Sequence, residues 1–362
     1  MPRLEMIDIT SARLANQRLS GTGFTRPEEV VSWLGAVQAQ DYPAAKWALA
    51  LRMNRASEST IDSAFAAGTI LRTHVLRPTW HFVSPADIRW MLALSKTRVS
   101  AAMASYTRRF ELDATVFRRS QRAIAQALRG GVPLTRQELK AVLQRAGINP
   151  GSIQRLARIV IQAELDAVIC SGPARGSQST YVLFEERVPA SRPIARDQAL
   201  AELARRYFTS HGPAQLRDFA WWAGLTLGDA RAGLAMVERD LVQDTVDGRS
   251  YWLSSSTRPH SRSRAAYLLP LYDEYLIAYK DRSAALDASR WLRVFSRNPF
   301  TAPVVVNGQV VGGWKQSLAK GTMVVSIMPF TAIAKRDAAA IEDAVRSYGD
   351  FLGRDPELAW QS

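Results

Sequence analysis

The chain has 362 residues, more than one hydrophobic core usually supports, and its apolar fraction of 47 % is that of a globular protein, which excludes disorder. A single cysteine, Cys170, excludes an intramolecular disulfide, and with no signal-like start and no run of about 18 apolar residues we expect a soluble cytoplasmic protein. The formal net charge of +14 favours a polyanionic partner over a membrane, with a merely solvated basic face as the alternative.

The first unit is predicted to hold three helices and a hairpin, followed by a linking helix. Apolar spacing and turn residues place these elements over 8–19, 27–37, 60–67, 70–83 and 92–110. We assign residues 1–115 to this unit, which is the most irregular of three similar units.

Two glutamines separated by one residue lie inside the first unit. Pro43 disfavours helical backbone at the residue before it, so we expect 38–42 to leave a helix for extended backbone. In extended backbone residues i and i+2 project to one face, which would aim Gln38 and Gln40 at a common target while Ala39 points away. Taken alone, such a pair is more commonly a polar helix end.

The second unit, 116–190, shows the clearest pattern. Its predicted elements are helices over 117–129, 135–147 and from 152 onward, then a strand over 180–185 after a loop over 172–179. Thr135 is the expected N-cap of the middle helix, and Glu138 completes a capping box. The segment 96–158 carries 13 basic residues against three acidic ones, so much of the positive charge is concentrated here.

A third unit, 191–258, repeats this order and is followed by a segment of different character, 259–362. The third unit is predicted to contain helices over 200–208, 214–223 and 227–239 and a hairpin that turns at Asp247-Gly248. The last segment is predicted to contain a hairpin that turns at Asn307-Gly308, a strand over 323–327 and a helix over 332–352.

The predicted fold class is therefore α+β, with three tandem winged helix-turn-helix motifs and a small β-containing C-terminal region arranged in a C shape. A helix-strand alternation can also indicate parallel βαβ units, but these strands are short and paired by tight turns.

Several kinds of chemistry are excluded by the residues present. Four histidines and one cysteine form no metal-ligand spacing, and no glycine-rich phosphate loop or Gly-x-Ser-x-Gly motif occurs. We therefore expect no metal and no cofactor, which leaves the two glutamines prominent.

Four segments together resemble the AlkZ-like DNA glycosylases, a winged-helix family that excises alkylated purines and unhooks interstrand crosslinks. The segments are 38–43, 44–49, 73–81 and 268–276, and the resemblance extends over nearly the whole chain. Gln40 places the chain in the Gln-x-Gln branch rather than the related YcaQ-like branch, which has Gln-x-Asp. The resemblance implies a monofunctional, monomeric glycosylase with catalytic Gln38 and Gln40, acting on double-stranded DNA in self-protection against a genotoxic natural product.

Amides suit a leaving group that already carries charge. Cleavage of the C1′–N bond passes through an oxocarbenium-like sugar, for which glycosidases commonly use two carboxylates. An N7-alkylated guanine is cationic and leaves as a neutral base without protonation, so the protein has only to position water and stabilise the sugar. We expect Gln38 and Gln40 to orient the water, and Asp41 is a candidate general base, with a solvated helix N-cap as its alternative role.

Contacts to DNA are predicted at two hairpins. His74 and Arg77 are candidate phosphate or groove contacts, whereas Trp80 is expected in the core and His81 as a structural histidine. The resemblance implies that a second hairpin inserts into DNA, and its residues are Asn307, Gly308 and Gln309.

An adjacent acidic pair, Asp273 and Glu274, resembles catalytic carboxylates. Neighbouring residues on one element usually diverge, so we expect a structural role through pairing with Arg282 or Lys280.

Two functions of other classes fit the same elements. A winged-helix transcriptional regulator would bind a specific site, usually as a dimer, and would not catalyse. A protein that sequesters the toxin itself would bind the drug without DNA.

Overall fold

The computed structural model describes residues 8–257, 265–295, 301–319 and 322–361. Its helices are α1 (Ile9–Asn16), α2 (Pro27–Leu34), α3 (Tyr42–Ala50), α4 (Glu58–Ala67), α5 (Ile88–Ala102), α6 (Ala104–Arg109), α7 (Ala114–Leu128), α8 (Arg136–Arg145), α9 (Ile153–Leu165), α10 (Phe184–Arg187), α11 (Arg196–Ser210), α12 (Leu216–Ala223), α13 (Leu227–Val237), α14 (Glu274–Ile277), α15 (Ala288–Phe295) and α16 (Lys335–Leu352). In these ranges no helix has the length and apolar character needed to cross a membrane.

Within the described ranges the strands form four separate sheets. They are β1 (Ala36–Gln38), β2 (Leu71–His74), β3 (Trp80–Val83), β4 (Leu134–Thr135), β5 (Ile169–Arg175), β6 (Gln178–Leu183), β7 (Leu241–Val246), β8 (Arg249–Ser254), β9 (Ala266–Leu268), β10 (Ala302–Val306), β11 (Gln309–Ala319), β12 (Thr322–Pro329) and β13 (Pro356–Trp360). The sheet orders are β1-β3-β2, β4-β6-β5, β7-β8 and β13-β12-β11-β10-β9.

The backbone around the two glutamines is partly as predicted. Gly35 adopts φ +82° and ends α2 one turn earlier than expected, which frees β1 to pair antiparallel with β3. The extended segment ends before Tyr42, because Asp41 caps α3 and Pro43 lies in its first turn, where proline is tolerated. The prediction of extended backbone is confirmed at Gln38 and wrong at Tyr42.

The second and third predicted units contain the expected helices. Thr135 accepts from the backbone of Glu138 while the Glu138 side chain bonds back to Thr135, so the capping box is confirmed. The loop expected over 172–179 is wrong, because β5 and β6 pair across most of it. The turn at Asp247-Gly248 is confirmed, with φ values of +49° and +72°.

The last segment forms the five-stranded sheet. Asn307 and Gly308, with φ of +51° and +79°, turn β10 into β11 as predicted. Strand β13 follows α16 and pairs parallel with β12, and the sequence pattern does not predict it. The boundary predicted at 258/259 lies outside the described residues.

Hydrophobic packing does not follow the predicted unit boundaries throughout. The second unit has a cluster of its own between Leu112 and Tyr181. By contrast, Trp47 of the first unit packs on Tyr348 and Phe351 of α16, with ring centroids 5.0 and 5.2 Å apart. The first unit and the last segment therefore share a core.

A buried ion pair joins the first unit to the last segment. The two terminal guanidinium nitrogens of Arg52, Nη1 and Nη2, donate to the Asp273 carboxylate, at 2.9 and 2.8 Å, and both side chains are fully buried. Burial alone would lower the pKa of Arg52, but Asp273 raises it above its ordinary value. The predicted partners of Asp273, Arg282 and Lys280, are therefore wrong, although its structural role is confirmed.

Removing this carboxylate should destabilise the protein strongly. Asp273→Asn leaves the Arg52 charge buried without a counter-ion, which we expect to lower the free energy of unfolding by about 3–5 kcal/mol. Urea denaturation followed by circular dichroism measures this difference. Asp343→Asn is the matched control, because its pairing with Arg346 is exposed and should contribute below about 1 kcal/mol. Equal losses in the two variants would contradict the structural role of the buried pair.

Candidate functional site

Gln38 ends strand β1, and protein groups fix both its backbone and its side chain. Its backbone N–H donates to Oε1 of Glu274 at 2.8 Å. Its side-chain oxygen accepts from Nη2 of Arg77 at 3.0 Å, and the residue is 8 % exposed. Because a guanidinium can only donate, the amide oxygen of Gln38 must face Arg77, which leaves the amide NH₂ pointing elsewhere.

Gln40 lies two residues further on and is exposed, whereas Ala39 between them is fully buried. The side-chain oxygen of Gln40 accepts from the backbone N–H of Trp80 at 3.3 Å. The Arg72 guanidinium donates to the backbone carbonyl oxygens of Ala39, at 2.9 Å, and Gln40, at 3.4 Å. Both glutamine amides therefore contact the β2–β3 hairpin, Gln38 through Arg77 and Gln40 through Trp80.

The connection that carries Arg77 is clamped by helix α12. Leu76 has a φ of +62°, an unfavourable value for a side chain with a Cβ. Gly224 ends α12 against it, and a Cβ on Gly224 would lie 2.1 Å from the carbonyl oxygen of Leu76. Only glycine fits at this position, so the end of α12 determines where Arg77 is held.

Glu274 lies directly behind Gln38 and is fully buried. One carboxylate oxygen accepts from the Gln38 N–H, and the other accepts from Nε1 of Trp222 at 2.9 Å. Nε2 of His211 is 3.6 Å away, too far for a hydrogen bond, so it acts through its charge or dipole.

The electrostatics of this cluster favour an ionised Glu274 beside a neutral His211. Burial alone would raise the pKa of Glu274, but the nearby His211 and Arg77 hold it below its ordinary value. Burial lowers the pKa of His211, against the opposing effect of Glu274. Burial also lowers the pKa of Arg77, again opposed by the Glu274 charge. The expectation that Glu274 pairs with Arg282 or Lys280 is wrong.

The sequence analysis did not connect Glu274 with Gln38. The two residues are 236 positions apart, and no local pattern links them. Two signals were available. Segments 268–276 and 38–43 are both among the segments that resemble the AlkZ-like glycosylases, and the side chains of adjacent carboxylates usually point in different directions. The structure shows this divergence, with Asp273 on Arg52 and Glu274 on Gln38.

The histidines of the β2–β3 hairpin are both buried. His74 is 3 % exposed, and its Nδ1 lies 2.5 Å from Oε2 of Glu164. The contact of His74 with DNA stays a prediction, and in this arrangement its side chain is buried against Glu164. His81 is fully buried and its Nδ1 bonds the carbonyl oxygen of Thr79 at 2.9 Å, as expected for a structural histidine. Trp80 is only half-buried, and its Nε1 donates to Glu164 at 3.3 Å.

Asp41 and the second hairpin have local structural roles. The Asp41 carboxylate accepts from the Ala44 N–H at 3.2 Å, so the N-cap alternative is confirmed. Gly308 is buried, and its carbonyl accepts from Tyr275. Gln309 donates to the carbonyl of Ala284 at 2.8 Å. Of the three predicted residues, Asn307 and Gln309 are exposed, and insertion of this hairpin into DNA stays a prediction.

The described ranges contain no group of three or more His, Cys, Asp or Glu side chains arranged to hold a metal ion. The residues around Gln38 and Gln40 instead provide neutral amides, two arginines and one buried carboxylate. Such a group can orient a small polar molecule by hydrogen bonds.

Known proteins are similar to this chain in sequence and in fold. The family described as DNA glycosylase AlkZ-like matches residues 31–351. A curated protein of Streptomyces sahachiroi, named Interstrand DNA cross-link repair glycosylase, is 26 % identical over 330 residues, which cover 84 % of this chain and 85 % of that protein. The solved structure of Streptomyces sahachiroi DNA glycosylase AlkZ has a TM-score of 0.79 at 23 % identity and covers 98 % of each chain.

The buried histidines should make stability depend on pH. Burial, and secondarily the charge of Arg77, lower the pKa of His81 to about 3, so it stays neutral in the folded chain while an unfolded histidine is protonated below about pH 6.5. The unfolded state then binds more protons, so the contribution of His81 to stability is complete above pH ~6.5 and falls by about 1.4 kcal/mol per pH unit below it, and the lowered pKa of His211 adds to this fall. Unfolding free energies measured between pH 7 and 5 should show this fall.

A variant at this position tests the assignment. His81→Asn keeps a nitrogen donor near Nδ1 but cannot titrate, so the fall in stability with pH should become shallower. A slope equal to that of the wild type would show that His81 titrates normally in the folded chain.

Proposed function

The chain belongs to the DNA glycosylase AlkZ-like family, and we propose that it hydrolyses the N-glycosidic bond of cationic N7-alkylguanine in double-stranded DNA. The same cleavage would unhook an interstrand crosslink, because it releases the modified guanine from one of the two strands. The observation that carries this proposal is the pair of glutamine amides, of which Gln38 is held by Arg77 and Glu274 and Gln40 is exposed beside it.

The proposed reaction needs no acid. Water adds to C1′ while the C1′–N9 bond breaks, and the bonding electrons neutralise the positive charge of the N7-alkylated base. The products are a neutral modified guanine, an abasic sugar and a proton released from the water. A site without a proton donor therefore selects cationic lesions, because an uncharged purine is a poor leaving group.

The two amides have different roles in holding the water. The Gln38 oxygen faces Arg77, so its NH₂ is free to donate to the water oxygen. The Gln40 oxygen has a second lone pair beyond its bond to Trp80 and accepts one hydrogen of the water. The remaining lone pair of the water is then directed at C1′, and Asp41 or bulk solvent takes the proton.

The exposure of Gln40 supports action on bulky or crosslinked guanine. A base tethered to the opposite strand cannot rotate into a closed pocket as conventional base flipping requires. We propose that the three helix-plus-hairpin units act as winged helices around a concave C-shaped surface that receives such DNA. Protection against a genotoxic natural product is the proposed biological role. The match to a glycosylase family does not favour a non-catalytic transcriptional regulator.

Loss of either glutamine should abolish most of the activity. We expect Gln38→Ala and Gln40→Ala to reduce excision of N7-methylguanine from a duplex by about 10²–10³-fold, the range found when a preorganised hydrogen-bond donor is removed from an active site. Alkaline cleavage of the abasic product measures the rate, and fluorescence anisotropy measures DNA affinity, which should be retained. Gln361→Ala is the control for a glutamine at the exposed C-terminal end.

The choice of lesion provides a second test. Duplexes with unmodified guanine or with a neutral oxidised purine should remain uncleaved. Wild-type protein that binds DNA but excises neither N7-methylguanine nor a crosslinked guanine would contradict the proposed function, and a footprint on one specific sequence would support the regulator.

Arg77 should affect the rate rather than DNA affinity. We expect Arg77→Met to lower kcat by roughly 10- to 100-fold because the Gln38 amide loses its fixed orientation, with Arg77→Lys recovering part of the rate. The salt dependence of DNA binding should be unchanged. A shallower salt dependence with normal kcat would instead show that Arg77 contacts a phosphate, as the sequence analysis expected.

A further inference from the structure

A cavity of about 360 Å³ lies beside Gln40, between the β2–β3 hairpin and the start of α8. Its lining includes Arg72, Trp80, Thr135, Arg136, Gln178 and Tyr181. We propose that this cavity binds a phosphodiester group of the lesion-bearing strand. The identification of the strand rests on the proposed function, whereas the binding of a phosphate rests on the cavity itself.

Two guanidinium groups give the cavity its charge. The guanidinium carbon of Arg72 lies 4.3 Å from the ring centroid of Trp80, and that of Arg136 lies 5.5 Å from the same centroid. Within the described part of the chain, neither arginine has a carboxylate oxygen within 4.0 Å. The nearby Glu164 is already engaged by His74 and by the indole of Trp80. The charge of Glu164 still acts on Arg72, so the positive charge that is open to a ligand comes mainly from Arg136.

Both arginines are built into the fold. Arg72 is 9 % exposed and is held by the Ala39 and Gln40 carbonyl oxygens. Arg136 is half-buried, and one of its nitrogens donates to the Tyr181 hydroxyl at 3.1 Å. The other N–H groups of Arg136 remain available to a ligand, and a guanidinium fork matches the geometry of phosphate oxygens.

The charge of the cavity determines whether a base or a phosphodiester of the DNA can bind in it. The volume alone would admit a purine, but two cations would repel an N7-alkylguanine, which is itself cationic. The same cations attract a phosphodiester. Trp80, which lines the cavity, donates its backbone N–H to the side-chain oxygen of Gln40. A phosphate held in the cavity therefore belongs to a nucleotide next to the one whose C1′ the water attacks.

Arg136→Gln tests the proposal, because Arg72 also supports the catalytic backbone and is left intact. We expect the Kd for a duplex with one N7-methylguanine to rise about tenfold, the loss of one charge-assisted hydrogen bond. The slope of log Kd against log salt should fall by about 0.9, the value for one lost phosphate contact, and Arg136→Lys should retain most of that slope. Arg122→Gln on α7 is the matched control, an exposed arginine of the same unit whose loss should change Kd less than threefold.

Neutral methylphosphonates, placed one at a time around the lesion, locate the contact. Neutralising one particular phosphate should lower the affinity of the wild-type protein about tenfold. Neutralising the same phosphate should cause no further loss of affinity in Arg136→Gln. If the effect of Arg136→Gln is the same on every neutralised duplex, or matches that of Arg122→Gln, the proposal is wrong.

Binding is measured separately from excision, so the two hypotheses fail independently. A wild-type protein that never excises N7-methylguanine, but shows the position-specific loss, would contradict the proposed function and leave the phosphate site standing. A loss that follows a drop in melting temperature, with no dependence on methylphosphonate position, would assign Arg136 to stability and overturn the phosphate site.

Discussion

The buried carboxylate of Glu274 is the constraint on which the geometry of the site depends. A fully buried charge is costly unless each oxygen has a donor, and here the donors are the backbone of Gln38 and the indole of Trp222. These residues lie on β1 and α12, so satisfying one carboxylate brings the first unit, the third unit and the last segment together at the glutamine. The end of α12 then holds Arg77, which orients the Gln38 side chain.

This support places the Glu274 carboxylate and the Arg77 guanidinium behind the glutamine pair, while Asp41, which caps α3, is an exposed ionisable group beside it. Glu274 and Arg77 lie on the protein side of Gln38, and its exposed neighbour Gln40 faces outward. In the proposed reaction the two amides offer no proton to the leaving group, so they suit a base that departs without one. In the proposed reaction the lack of a proton donor makes the site selective, because an intact purine does not leave readily without protonation.

The sequence predicted what short-range chemistry determines and missed what distant contacts determine. Capped helices such as α8 and hairpins with Asp-Gly or Asn-Gly turns depend on residues a few positions apart, and the structure contains them. Strand β13 depends on pairing with β12, to which it returns only after α16. The contact between His74 and Glu164 joins residues 90 positions apart, so the sequence pattern indicates a DNA contact for His74 and does not predict its burial. The two glutamines could be identified from their spacing and resemblance, but Glu274 behind them could not.

The distribution of charge around Gln40 relates the site to its proposed substrate. A cationic lesion in DNA presents two opposite charges, one on the base and one on the backbone, only a nucleotide apart. Arginines at the attacked base would repel it, and carboxylates there would repel the phosphates. In this structure Arg72 and Arg136 lie at the cavity beside Trp80, and Arg77, which bonds the Gln38 amide, lies near the buried charge of Glu274. In the proposed reaction the arginines at the cavity hold the DNA backbone, while the two amides add no charge of their own at the cationic base. This is a physical reason for amides, rather than charged groups, at positions 38 and 40.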